Sequence, residues 1–259
     1  MSTPAVAASI IVPAYREAAN VPMLTARIFK AARAADLEVE LIIVDDNSQD
    51  GTEQAVAALQ GHYPVRLIVR RDERGLSSAV LAGFREARSD RFVVLDADLQ
   101  HPPEMIPTVL QRLDENGCDF VTATRYGGGG GISSDWPFLR RLASRVATLM
   151  ARPLTPVSDP MSGFFAIHRS TWEQAEGLDP IGYKIALELY VKGRCCRPAE
   201  VPIDFALRAA GDSKFNVREQ VRYLRHLVRL YRFRFPWRFP AMVVTMLIVL
   251  GLCTWGLLG

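Results

Sequence analysis

Five short apolar runs, spaced so that each interval has room for one helix, constrain this 259-residue chain more than anything else in it. They are Ser9–Pro13 (SIIVP), Val39–Val44 (VELIIV), Val65–Val69 (VRLIV), Phe92–Leu95 (FVVL) and Asp119–Thr124 (DFVTAT). Runs of this length, rich in valine and isoleucine, signal buried strands. Between them lie helix starts. Asn20 followed by Pro22 reads as a cap and first turn of a helix running to about Ala35. A second helix begins after Asp50-Gly51-Thr52, a third spans Gly75–Ala87, and Pro102-Pro103-Glu104 opens a fourth. The alternation predicts an α/β fold with a mainly parallel sheet and helices on both faces.

In such sheets ligands sit beyond the carboxyl ends of the strands. Here the strand ends carry acids. Val44 runs into Asp45-Asp46-Asn47-Ser48, and Leu95 into Asp96-Ala97-Asp98-Leu99-Gln100. Asp96 and Asp98 offer hard oxygen ligands, which suit Mg²⁺ or Mn²⁺ bridging a diphosphate and do not suit zinc. An isolated pair of this kind would read as turn or capping acids; its setting favours the ligand reading. The glycine run Gly127 to Gly131 lacks the strand-to-helix setting of a dinucleotide fingerprint, and a loop over a ligand or a plain linker fits it equally. None of the four histidines, His62, His101, His168 and His226, stands where a general base is expected. Each reads as a surface or capping residue.

Charged residues make up 23% and hydrophobic ones 49%, which excludes a disordered chain and leaves room for one α/β domain with an appendage. The net charge of +3 hides a cluster. Arg218, Arg222, Arg225, Arg229, Arg232, Arg234 and Arg238 interleave with Val221, Leu224, Leu227, Val228, Tyr231 and Phe235, opposed only by Glu219. Such a segment can lie in a lipid headgroup layer with its arginines on phosphates. A nucleic-acid helix is the competing reading, and the neighbouring sequence opposes it. Phe239 to Gly259 is 21 residues with only Thr245 and Thr254 polar; at roughly 1.5 Å per residue it reaches about 30 Å, a bilayer core. Trp237 and Trp255 sit near its two ends as interface anchors would. The expected division is a catalytic domain at 1–214, an interfacial helix at 215–238 and a transmembrane helix at 239–259. By the positive-inside rule the catalytic domain is cytoplasmic. The N-terminus does not read as a signal peptide. Cys118, Cys195, Cys196 and Cys253 follow no metal or disulfide pattern and read as reduced, structural thiols.

Pro13-Ala14-Tyr15-Arg16-Glu17, Val44-Asp45-Asp46-Asn47-Ser48, Asp96-Ala97-Asp98 and Thr124-Arg125-Tyr126, in that order, resemble glycosyltransferase family 2, whose fold is GT-A. Within the family, the stretch from Trp136-Pro137 to Thr155 and Ser158-Asp159-Pro160-Met161-Ser162-Gly163-Phe164-Phe165 resemble the dolichyl-phosphate mannose synthases of the single-chain, tail-anchored, yeast-like type. Arg16 departs from the family, where many members have Asn. The resemblance implies that Pro13, Tyr15, Glu17, Val44 and Asp46 bind the nucleoside. It places Asp96, Asp98 and Gln100 on a divalent metal, Mg²⁺ or Mn²⁺, with the Ala97 backbone beside the donor. It puts Arg125, Arg208 and Lys214 on phosphates, the last two within Arg208-Ala209-Ala210-Gly211-Asp212-Ser213-Lys214. Arg140 and Ser144 stand where relatives hold the acceptor phosphate, beside Arg125. Asp98 and Arg125 are the expected catalytic pair.

The implied donor is GDP-mannose and the implied acceptor dolichyl or another polyprenyl phosphate, giving dolichyl β-D-mannosyl phosphate with inversion. A phosphate monoester is anionic at neutral pH, with a second pKa of about 6, so no base is required. Guanidinium forks suit its placement. Arg140-Arg141-Leu142-Ala143-Ser144 also matches a basic-directed kinase consensus, and phosphate on Ser144 would repel the acceptor. Two alternatives stay open: a UDP-glucose-dependent dolichyl-phosphate glucosyltransferase, and a non-catalytic membrane-tethered nucleotide-sugar binding subunit. An aspartyl phosphatase is disfavoured because the second acid, Asp98, is followed by Leu99 where Thr is expected. Neither nucleic acid nor an obligatory protein subunit is expected. The expected location is the endoplasmic reticulum membrane, or the cytoplasmic membrane in a prokaryote.

Overall fold

A computed structural model describes residues 6–126, 146–179, 181–182, 184–205 and 217–237. Seven strands form one sheet: β1 (Ala8–Ala14), β2 (Val39–Asp45), β3 (Val65–Val69), β4 (Arg91–Val94), β5 (Phe120–Thr124), β6 (Phe165–His168) and β7 (Pro198–Pro202). Their order is β3-β2-β1-β4-β6-β5-β7. All neighbours pair in parallel except β6, which runs antiparallel between β4 and β5. The carboxyl ends of β1, β2, β4 and β5 therefore lie along one edge.

The strands alternate their side chains between two faces, as a period of two requires. Ile10 and Val12 of β1, Leu41 and Ile43 of β2 and Val93 of β4 pack against α1 (Val21–Ala34) and α4 (Ile106–Asp114). The helix α2 (Thr52–Leu59) adds Val56 to that side. Ile11, Ile42, Val44, Phe92 and Val94 face α3 (Leu76–Glu86) and α6 (Ile185–Lys192). Full burial of such a side chain stabilises by about 1.5–3 kcal/mol, so the central strands, apolar on both faces, anchor the fold. At Gly83 an added Cβ would stand 2.5 Å from Ile11 Cγ2, and its absence lets α3 lie close on the sheet.

The expected helices are present with small shifts. Pro103–Met105 forms a short 3₁₀ turn before α4. Asn20 occupies the N-cap of α1, but its side chain makes no capping bond and instead donates to Glu17 Oε2 at 2.6 Å. After β6 comes a short helix, α5 (Arg169–Glu173), and residues 146–151 are helical.

The arginine-rich segment is the helix α7 (Val217–Arg234). Tyr223, Leu227 and Leu230 turn inward, while Val221, Leu224 and Val228 stay exposed among arginines. The Tyr223 and Tyr231 hydroxyls donate to the carbonyls of Ala147 and Met150, each at 2.7 Å. Arg229 pairs with Asp179. His226 is not the surface residue the sequence suggests. It is 2% exposed, because the inward stripe of α7 includes it, and its Nε2 lies 3.5 Å from Oε2 of buried Glu188. The other oxygen of Glu188 accepts from Lys192 Nζ at 2.6 Å and the Asp179 N–H at 2.8 Å. Among the described residues no helix is long and apolar enough to cross a membrane. The expected span, Phe239 to Gly259, lies outside them.

Candidate active site

The loops after β1 and β2 are stapled together. Arg16 has a left-handed backbone (φ 63°), and its N–H donates to Ser48 Oγ at 2.7 Å. Ser48 is held in turn by Asp45, whose Oδ2 accepts the Ser48 N–H at 2.9 Å and whose Oδ1 takes the hydroxyl. Pro13 and Val44 are buried. Tyr15 is 44% exposed, with the guanidinium carbons of Arg16 and Arg74 at 5.3 and 5.5 Å from its ring centre.

Asp46 is buried and already engaged. Its Oδ1 takes Arg70 Nε at 2.8 Å and also Nη2, while its Oδ2 accepts the Gly75 N–H at 2.7 Å. A carboxylate has about four lone-pair sites, so roughly one remains for a ligand N–H. Arg70, from the end of β3, also donates to Ser78 Oγ at 2.7 Å and the Gly75 carbonyl at 2.9 Å. Asp46 thereby orders the approach to α3 as well as facing the strand edge.

After β4 the chain turns tightly, with Leu99 at φ 62°. Asp98 is buried and its Oδ1 accepts the Gln100 N–H at 3.1 Å. Ala97 is buried, and Gln100 is half-buried in the same turn. The Asp96 carboxylate is one-third exposed and lies flat over Gly163, where an added Cβ would come within 2.6 Å of Oδ2 and 3.0 Å of Cγ. His101 backs this turn. Contrary to the surface reading, it is 3% exposed, because Phe164 and Phe205 close over it with ring centres 5.7 and 5.3 Å away. Burial pushes the imidazole down to about 4, with Asp98 opposing and Arg125 adding to the fall.

Beyond β5, Arg125 forms a two-pronged pair with fully buried Asp159: Nε to Oδ2 at 2.7 Å and Nη2 to Oδ1 at 2.9 Å. Its guanidinium lies 5.3 Å from the Phe205 ring centre. Burial disfavours the Arg125 charge, but the bonds and charge of Asp159 outweigh it and hold the group protonated, with Asp96 helping. Lys184, just before α6, is drawn into the same field. Burial and then the Arg125 charge push it down to about 8, against Asp159 and Asp96.

The structure thus gathers Asp96, Asp98 and Arg125 with three residues to which sequence reading gave no role at the site: His101, Asp159 and Lys184. Arg70 was missed too. Asp159 stood within a recognisable motif, and its burial beside a cation was the missing signal. The expected Arg140, Ser144, Arg208 and Lys214, and the run Gly127 to Gly131, lie outside the described residues.

Among the described residues no three His, Cys, Asp or Glu side chains gather as a ready metal cage. A divalent ion would rely on the two carboxylates, with Gln100 next in the turn. That all-oxygen, incomplete set suits Mg²⁺ or Mn²⁺, which keep waters and share substrate phosphates. The bare Cα of Gly163 gives the Asp96 carboxylate its place in that set.

Residues 9–174 match the family model described as glycosyl transferase family 2. The chain is 48% identical over 263 residues to a protein of Mycosarcoma maydis named dolichol-phosphate mannosyltransferase, covering 98% of this chain and 88% of that one. It is also 48% identical to a Saccharomyces cerevisiae protein of the same name, covering 88% of each. Its fold matches a mannosyltransferase from Pyrobaculum calidifontis solved with GDP-Man and Mn²⁺ (TM-score 0.62, 20% identity, 86% of this chain and 62% of that one).

Proposed function

This chain belongs to glycosyl transferase family 2, and from that membership we propose that it transfers mannose from GDP-mannose to dolichyl phosphate, inverting the anomeric centre. Mannose transfer to dolichol phosphate is supported by relatives of that name at 48% identity. One observation carries the chemistry: Arg125, held in a two-pronged pair by buried Asp159, stands with Lys184 in the field of the Asp96 carboxylate that leaves β4.

In this reading Pro13, Tyr15, Glu17, Val44 and Asp46 receive the guanosine. Asp96, Asp98 and Gln100 hold Mg²⁺ or Mn²⁺, and the Ala97 backbone lies against the donor. A bound divalent ion neutralises the charge that grows on the departing diphosphate. Arg125, fixed by Asp159 and Phe205, adds a pre-placed cation at the same edge, where electrostatic preorganisation is worth most. An acceptor phosphate oxygen attacks the mannose anomeric carbon as the bond to GDP breaks. No proton moves, because the monoester is already anionic. His101, buried and neutral, is no base for this step.

Arg140 and Ser144 for the acceptor, and Arg208 and Lys214 for phosphates, complete the proposed machinery. The proposed organisation keeps 1–214 catalytic, 215–238 interfacial and 239–259 as a membrane anchor, with the catalytic domain on the cytoplasmic side of the endoplasmic reticulum membrane. The exposed apolar residues and arginines of α7 support an interfacial seat for that helix. The test is turnover by purified protein in detergent with polyprenyl phosphate, comparing GDP-mannose, UDP-glucose and GDP-glucose with and without EDTA. GDP-mannose alone should be used, and only with metal. Turnover of UDP-glucose would indicate the glucosyltransferase instead, and binding without turnover a carrier subunit. Asp98→Ala should abolish turnover and leave the protein folded.

A further inference from the structure

Asp96 is gripped on two sides, by the bare Cα of Gly163 and by His101. The contact with His101 runs through a single nitrogen. The Asp96 backbone N–H donates to His101 Nδ1 at 3.4 Å, and Nδ1 also lies 3.5 Å from Asp96 Oδ2. A nitrogen that accepts from an N–H presents its lone pair, so the ring proton belongs on Nε2. The ring stands edge-on to Phe164 and Phe205 in a pocket closed to water, where an imidazolium would be costly. This has a consequence for the carboxylate. With its backbone N–H held by the ring, Asp96 keeps its carboxylate against Gly163.

Phe205 extends the arrangement, since its ring meets both the His101 edge and the Arg125 guanidinium, each at 5.3 Å. One aromatic side chain therefore ties the carboxylate turn to the site's arginine.

Resting on the family 2 reading of the site, we propose that His101 is a positioning residue: by accepting the Asp96 backbone N–H at Nδ1 it fixes the Asp96 turn and so the place of the Asp96 carboxylate at the divalent-cation site. It touches neither substrate nor the reacting atoms. Groups behind a metal ligand typically cost 10–100-fold in metal affinity or activity when lost.

The experiment is Mn²⁺ binding by electron paramagnetic resonance on the full chain in detergent with saturating GDP, alongside mannosyl transfer. Three variants separate the roles. His101→Phe keeps a ring and removes the acceptor, His101→Asn places an amide oxygen near Nδ1, and His101→Gln places its amide near Nε2. Mn²⁺ affinity should fall about 10–100-fold in His101→Phe and His101→Gln and largely return in His101→Asn. The kcat should recover toward wild type at saturating Mn²⁺. A residue that only fills space would lower the melting temperature and leave Mn²⁺ affinity unchanged. Should His101→Phe fail to fold, the Asn and Gln variants still decide. Wild-type Mn²⁺ affinity in His101→Gln overturns the proposal. Wild-type protein that binds no Mn²⁺, or binds it equally with Asp96→Asn, overturns the metal reading itself and this proposal with it.

Discussion

Gly163→Ala isolates the geometry of the carboxylate turn, because the added methyl has one place to go. It would lie 2.6 Å from Asp96 Oδ2 and 3.0 Å from both Cγ and Oδ1. Ordinary contact begins near 3.4 Å, so Oδ2 must retreat by about 0.8 Å. The retreat is cheap for the fold. Gly163 does not use the left-handed backbone that would bar alanine, and a one-third exposed carboxylate has room to swing. An off-rotamer side chain costs about 0.5–1.5 kcal/mol, and replacing glycine restores about 0.4–1 kcal/mol through the unfolded chain. Stability should stay within about 1 kcal/mol of wild type, a few degrees in melting temperature for a chain of this size. Catalysis should not be spared. A misplacement near 1 Å can cost about 10²-fold, some 2.7 kcal/mol of barrier. The assay is mannosyl transfer titrated with Mn²⁺, with melting followed in parallel. A variant with wild-type turnover and wild-type Mn²⁺ half-saturation would refute the reasoning that Asp96 must sit where Gly163 leaves it.

Asp159→Ala strands a buried guanidinium and should cost about 3–5 kcal/mol, read by denaturant unfolding. Asp159→Leu with Arg125→Met should regain most of that stability and none of the activity. Acid should loosen the seat of α7. Burial works against a charged Glu188, but the facing His226 and the bonds from the Asp179 N–H and Lys192 outweigh it and hold the carboxyl below its ordinary 4.5. A depressed folded pKa contributes stability that is fully present above 4.5 and lost as pH falls through the folded value. Unfolding free energies measured from neutral pH downward should therefore decline below that point, and the decline should be shallower in Glu188→Gln.

The parallel strands were legible because valine and isoleucine crowd into runs too short for helices, and the acid pair because it follows such a run directly. The strand β6 was harder. Four residues, Phe165–His168, acquire their direction only by pairing with β4 and β5, a tertiary fact with no local mark. His101 was misread for a related reason. It stands in a polar turn before two prolines, and what buries it, Phe164 and Phe205, is distant in sequence. The bond between Arg125 and Asp159 spans 34 residues; each was visible within a motif, but not that they hold each other. His226 could have been read from spacing, since Tyr223, His226, Leu227 and Leu230 fall on one face of a helix.

Turning one strand against its neighbours changes which part of the chain supplies the working edge. Parallel strands deliver only the segments that follow them. The reversed β6 instead delivers the segment that precedes it, so Asp159 and Gly163 reach the same edge as Asp96 and Arg125. The edge is thus furnished both by loops that follow strands and by one that precedes a strand. A sheet with β6 flipped to the common direction would send that segment to the opposite edge, and Arg125 and Asp96 would lose the partners it brings.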